Sequence, residues 1–242
     1  MQQHFIITGS SYKRKQRIAI HFSKEEQLTN DFLSAQITKI KDECCTLPVA
    51  THSIITEDDS WLSVCEYDPY FKDICLIDTT DEFISILKDD LVITAEDTAR
   101  YILSQLECNP LKLHKLVYLC FAEYLTMYNE KLFESKICAF ERGPVVEDIY
   151  SKYKIFSKYQ IISEKLPKPI VLKSRILHSD KGIQKLFIID KIIKEYGSYN
   201  ANELITITHR PCSPWYVSLP IKENFQEISL DDIKAYHKYE KV

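Results

Sequence analysis

The chain has 242 residues, 45% hydrophobic and 27% charged, enough apolar material for one large core or two small ones and a mix that excludes a disordered chain. Its formal net charge of −4 argues against a protein that grips nucleic acid chiefly through phosphates. Four glycines are too few for nucleotide-cradling loops, and eight cysteines without a C-x-x-C pair offer neither a zinc spacing nor a disulfide framework, so no metal and no cofactor is expected.

His4 to Thr8 and Arg17 to Phe22 read as short strands joined across Gly9-Ser10-Ser11 and the basic run Tyr12-Lys13-Arg14-Lys15-Gln16-Arg17. That run is read as a solvated turn; as a nucleic-acid patch it is the one support for a regulator or phage accessory protein. Ser23 with Glu26 has the form of a capping box, followed by Leu28, Phe32, Leu33, Ile37 and Ile40 at helical spacing. Val49 to Thr56, Ser60 to Glu66 and Ile74 to Ile77 read as further strands, with Glu57-Asp58-Asp59 as a solvated turn. Thr79 to Leu87 predicts a helix, and residues 1–90 form a small α+β unit that closes on the charged break Lys88-Asp89-Asp90.

Residues 91–242 read as mainly helical. Thr94 with Asp97 makes a capping box, and Asn109 with Pro110 starts a second helix that is apolar nearly all round, which predicts a buried central position. Lys136 to Phe140 predicts a strand, and Pro144 is expected at the first position of a third helix. Tyr159 to Ser163 and Ile170 to Leu172 are expected to pair as a short β-hairpin. Lys181 to Tyr196 predicts an apolar helix, Asn200 with Glu203 caps one ending near His209, and Ser229 with Asp232 caps the last. The fold class is α+β. The chain opens on no signal-like or membrane-spanning run, so a reducing cytoplasm is the expected setting.

Three segments carry a resemblance: residues 94–103 followed by Leu111-Lys112-Leu113-His114-Lys115-Leu116-Val117-Tyr118, then Phe140-Glu141-Arg142-Gly143-Pro144-Val145-Val146, then Thr208-His209-Arg210-Pro211 with Pro214-Trp215. In this order and spacing they resemble the Panacea domain, a family of SocA-like antitoxins and GepA-like phage-associated proteins, over roughly residues 92–235. Glu141-Arg142 stands where the family pattern has an aromatic or small residue, and Cys212-Ser213 is inserted before Pro214-Trp215. The resemblance implies an antitoxin of a toxin–antitoxin system, chromosomal or prophage-borne, that binds and neutralises a cognate protein toxin. In one branch it implies an adaptor that hands the toxin to a cytoplasmic protease. Homo-oligomer formation is left open; a membrane partner is not expected.

No spacing asks for catalysis, so the protein is not expected to be an enzyme. Gly143-Pro144 reads first as a tight turn, and second as a device presenting Glu141 and Arg142 to a partner. His209 and Arg210 read as cations at a helix C-terminus, or, for His209, as part of a polar cluster with the Arg142 turn that borders a groove. Trp215 reads as core or as the wall of an interface. Glu141, Arg142, His209, Arg210 and Trp215 are therefore the candidate partner-binding residues. His114 is expected to be a hydrogen-bonded core histidine, and Cys44-Cys45 a pair without a redox role.

Overall fold

The structure, a computed structural model, describes residues 1–44, 47–156, 166–218 and 226–242. It divides into two compact units, Met1–Val92 with His178–Asp180, and Ile93–Leu177 with Lys181–Val242.

The first unit is built on strands β1 (Gln2–Ser11) and β2 (Gln16–Phe22), helix α1 (Asn30–Glu43), strand β3 (Ala50–Thr56), helix α2 (Trp61–Tyr67), strand β4 (Ile74–Leu76) and helix α3 (Thr80–Leu91). The sheet order is β3-β1-β2-β4, with β1 antiparallel to β2 and β3, and β4 parallel to β2. Alternation along β1 and β2 sends Ile7, Ile18, Ile20 and Phe22 to a core with Ile40, Phe83 and Leu87, while Ile6 and Ala19 meet Val64 and Phe71 on the other face. The basic run forms the turn between β1 and β2, where the backbone N–H groups of Tyr12 and Lys13 donate to the buried Asp90 carboxylate at 2.8 and 3.0 Å. Lys88-Asp89-Asp90 lies in the last turn of α3, two residues before the unit ends at Val92.

Two readings in this unit change. The capping box at Ser23 does not start α1; a short 3₁₀ turn covers Glu25–Gln27, and Thr29 caps α1 by accepting from Phe32 N. Ser60 to Glu66 is helix α2 rather than a strand: Ser60 accepts from Ser63 N, and Trp61, Val64 and Cys65 face the core at i, i+3, i+4 spacing.

The second unit begins with helices α4 (Ala95–Gln105) and α5 (Pro110–Tyr128) and the hairpin of β5 (Ile137–Phe140) and β6 (Gly143–Val146). Helices α6 (Glu147–Tyr153), α7 (Pro169–Leu177), α8 (Gly182–Tyr196), α9 (Ala201–Thr208) and α10 (Pro214–Ser218) follow, then the short strand β7 (Gln226–Glu227) and helix α11 (Leu230–Tyr236). Both halves of the capping boxes at Thr94/Asp97 and Asn200/Glu203 form. α5 is buried continuously from Leu113 to Leu125 and packs against α4, α8, α9, α11 and β6. None of the helices among the described residues is long and apolar enough to cross a membrane.

Pro144 does not open a helix. It lies in β6 opposite Ala139, at the outer edge of the β6-β5-β7 sheet, where a strand tolerates a missing N–H; the helix waits until Glu147. Ile170 to Leu172 is helical, inside α7, and the strand expected at Tyr159 to Ser163 lies outside the described residues. Among the described residues of this unit the hairpin is β5–β6.

Candidate functional site

The site grows from one glycine. Phe140 pairs with Gly143 across the two residues Glu141 and Arg142, and Gly143 has φ +97. Among the described residues no positive φ falls on Glu141 or Arg142, so the glycine supplies the left-handed step that closes the turn. A methyl group added there would lie 2.6 Å from Lys115 Nζ, 2.9 Å from His209 Nε2 and 3.1 Å from Thr208 Oγ1. The turn therefore sits directly on α5 and the end of α9.

Lys115 is fully buried, and its ammonium donates to the Pro144 carbonyl at 2.9 Å. Burial pulls its pKa down to about 7, opposed by the charge of Glu240. His209 follows α9, donating its backbone N–H to Ile205 O at 2.9 Å. Its ring lies flat on Trp215, with centroids 3.5 Å apart and planes 6° from parallel. Burial, then the positive field of Lys115, lower its pKa to about 4, while a hydrogen bond with the Arg142 backbone works the other way. The ring is neutral at physiological pH, so the expectation of a cation at the helix C-terminus does not hold for His209. Trp215 is 8% exposed and its indole N–H donates to Phe140 O at 2.7 Å. His209 and Trp215 thus both hold the backbone of the turn, one at each side.

Four of the five sequence-predicted residues come together here: Glu141 and Arg142 exposed on the turn, His209 and Trp215 beneath it. Arg210 does not join them. Its guanidinium donates to Lys241 O at 2.8 Å and reaches Tyr239 O at 3.5 Å, tying down the C-terminal segment.

Behind Lys115 lies a charged cluster that reading the sequence missed. Glu240 is fully buried and accepts from Tyr118 Oη at 3.0 and 3.1 Å and from His237 Nδ1 at 2.7 Å. His237 Nε2 reaches Glu123 at 3.1 Å, and Glu123 also holds Lys191 at 2.5 Å and Lys241 at 2.9 Å. Desolvation raises the Glu240 pKa, whereas the donors around Glu123, His237 first, hold that carboxylate ionised. The available signal was the presence of Lys115 and Glu123 on a helix otherwise apolar all round: a charge there must be paired.

His114 is buried as expected, but both ring nitrogens lack a hydrogen-bond partner among the described residues. Its pKa falls to about 4 through burial and the neighbouring Lys115. Cys44 is buried and Cys45 lies outside the described residues. Among the described residues no group of three or more His, Cys, Asp or Glu is placed to hold a metal ion.

Residues 113–216 match the family model of the antitoxin SocA-like Panacea domain, in agreement with the resemblance carried by the three motifs. The matched stretch is narrower than that resemblance: it starts within α5, ends in α10 and leaves out the α4 motif. It encloses Lys115, the Glu141–Arg142 turn, His209 and Trp215. No curated protein and no solved structure matches the chain.

Proposed function

We propose that this is an antitoxin-type protein that neutralises a cognate protein toxin by direct contact, without catalysis, and that the Glu141–Arg142 turn is the point of contact. The observation that carries the reading is the contrast between the turn's side chains and its backbone. Glu141 and Arg142 are exposed, while the backbone that bears them is held by Trp215, His209 and Lys115. A contact pre-organised in this way loses little entropy on binding, and an arginine beside a glutamate offers paired recognition of opposite charges. The antitoxin SocA-like match over the same residues supports a toxin as the partner. Occlusion comes first in this reading, and delivery to a cytoplasmic protease is a later step that some toxins require.

The test is co-expression with the protein encoded next to this gene, together with binding measured on purified chains. Glu141→Ala/Arg142→Ala is expected to weaken toxin binding at least tenfold, about 1.4 kcal/mol, and to abolish rescue of growth while leaving the melting temperature unchanged. Full neutralisation by the double variant would remove the turn from the interface. A toxin half-life that does not change when the protein is supplied would exclude protease delivery and leave occlusion standing.

A further inference from the structure

The four-stranded sheet of the first unit has two unlike edges. β4 is three residues long and offers little to pair with. β3 is seven residues, Ala50-Thr51-His52-Ser53-Ile54-Ile55-Thr56, and runs in unbroken register along β1 from Gln2↔Thr56 to Thr8↔Ala50. Alternate N–H and C=O groups of such an edge point away from the sheet, and folded proteins usually guard them with lysine, proline, a bulge or a covering segment. β3 carries no Lys, Arg, Asp, Glu or Pro, and its pairing has no bulge.

The two faces of β3 also differ. His52, Ile54 and Thr56 share the α2 side and are half-buried or buried. Thr51, Ser53 and Ile55 share the α1 side with Ile7 and Phe5, and all three are exposed, Ile55 at 55%. Between α1 and β3 lies a crevice of about 280 Å³ lined by Ile7, Ile37, Ile40, Lys41, Val49 and Thr51.

We propose that two copies of this chain associate through β3, strand to strand and antiparallel, so that their sheets become one. The strand is complementary to itself. Residues opposite one another in such a pair share a face, and the register that pairs all seven residues is centred on Ser53. It places Thr51 opposite Ile55 of the partner subunit, and the twofold repeats the contact in reverse. Each exposed isoleucine is thereby carried to the mouth of the other copy's apolar crevice. A strand without charged side chains meets its own image with no like-charge opposition.

The experiment uses the full chain. Sedimentation velocity over a concentration series is expected to show a monomer–dimer equilibrium. Ser53→Lys sets two ammonium groups opposite each other at the twofold and is expected to abolish the dimer; since Ser53 is exposed, its thermal melt is expected to match the wild type's at concentrations where the wild type is monomeric. In a Cys212→Ser background, which removes an exposed thiol, mixed Thr51→Cys and Ile55→Cys chains are expected to form a disulfide on mild oxidation. Either variant alone is expected to form none, because only the mixed pair brings Cα atoms to the roughly 4.5–5.5 Å of directly opposed residues. A chain that stays monomeric throughout overturns self-pairing and leaves the edge to an extended segment of another protein. A dimer that survives Ser53→Lys, or that cross-links in another register, overturns it equally. None of these readouts depends on toxin binding.

Discussion

At the scale of single residues, Gly143 and Lys115 decide how well the turn is held. Alanine at Gly143 would have to adopt φ +97 and push a methyl group against Lys115 Nζ and His209 Nε2. Backbone strain and overpacking together are expected to cost about 3 kcal/mol, read as a lower denaturant midpoint at unchanged slope. A loss within about 0.5 kcal/mol would show that the turn does not depend on glycine. Lys115 makes the stability sensitive to alkali. Its pKa is about 7 in the folded chain against 10.5 as the ordinary value. From about 7 to about 9 the unfolded chain keeps the proton that the folded chain has released, so stability rises with pH; above about 9 the thiols of Cys108 and Cys120, raised by burial, oppose the rise. Lys115→Met is expected to remove the rise. A wild-type stability that is flat between about pH 7 and 9 would show that the buried amine is not desolvated as the geometry requires.

At the scale of elements, what could be read from the sequence followed the range of the signal. Caps at Thr94, Asn109, Asn200 and Ser229 are local hydrogen bonds between residues two or three apart, and each forms where the spacing places it. Pro144 misled because a proline before a helix and a proline on an edge strand share the same short sequence context, and the difference lies in Ala139, five residues upstream. Ser60 to Glu66 misled because a seven-residue helix and a strand can carry the same few apolar residues, and only packing against Ile6 and Phe71 selects between them. In the site, the turn, His209 and Trp215 were legible from motif spacing, whereas Glu240 and His237 were not, since their partners on α5 lie more than a hundred residues away. The cap on α4 supplies a graded test. Thr94→Ala is expected to cost about 1 kcal/mol. Asp97→Ala is expected to cost more, about 3 kcal/mol, because Asp97 also faces the buried Arg175 guanidinium at 3.3 Å. Equal costs would mean that the buried pair adds nothing beyond the cap.

At the scale of the whole molecule, each unit has its own core and its own tryptophan beside a histidine that burial keeps neutral. In the first unit Trp61 lies against His21, with ring centroids 5.4 Å apart, and desolvation, helped by His4, lowers the His21 pKa to about 4. In the second, Trp215 stacks on His209, and His114 lies on the helix beneath. All three histidines have folded pKa values of about 4 against an ordinary 6.5. As pH falls through that interval the unfolded chain takes up protons that the folded chain refuses, so stability is lost progressively from about 6.5 down to 4 in both units. Trp61→Phe leaves fluorescence reporting on the second unit alone, and Trp215→Phe on the first. His114→Leu removes two buried nitrogens that have no hydrogen-bond partner among the described residues, and it is expected to stabilise the second unit and blunt its acid sensitivity. His21→Gln is expected to blunt that of the first unit only. If each substitution moved the acid midpoint seen by both tryptophans equally, the two cores would unfold as one cooperative system, and separate stabilities for the two units would have to be given up.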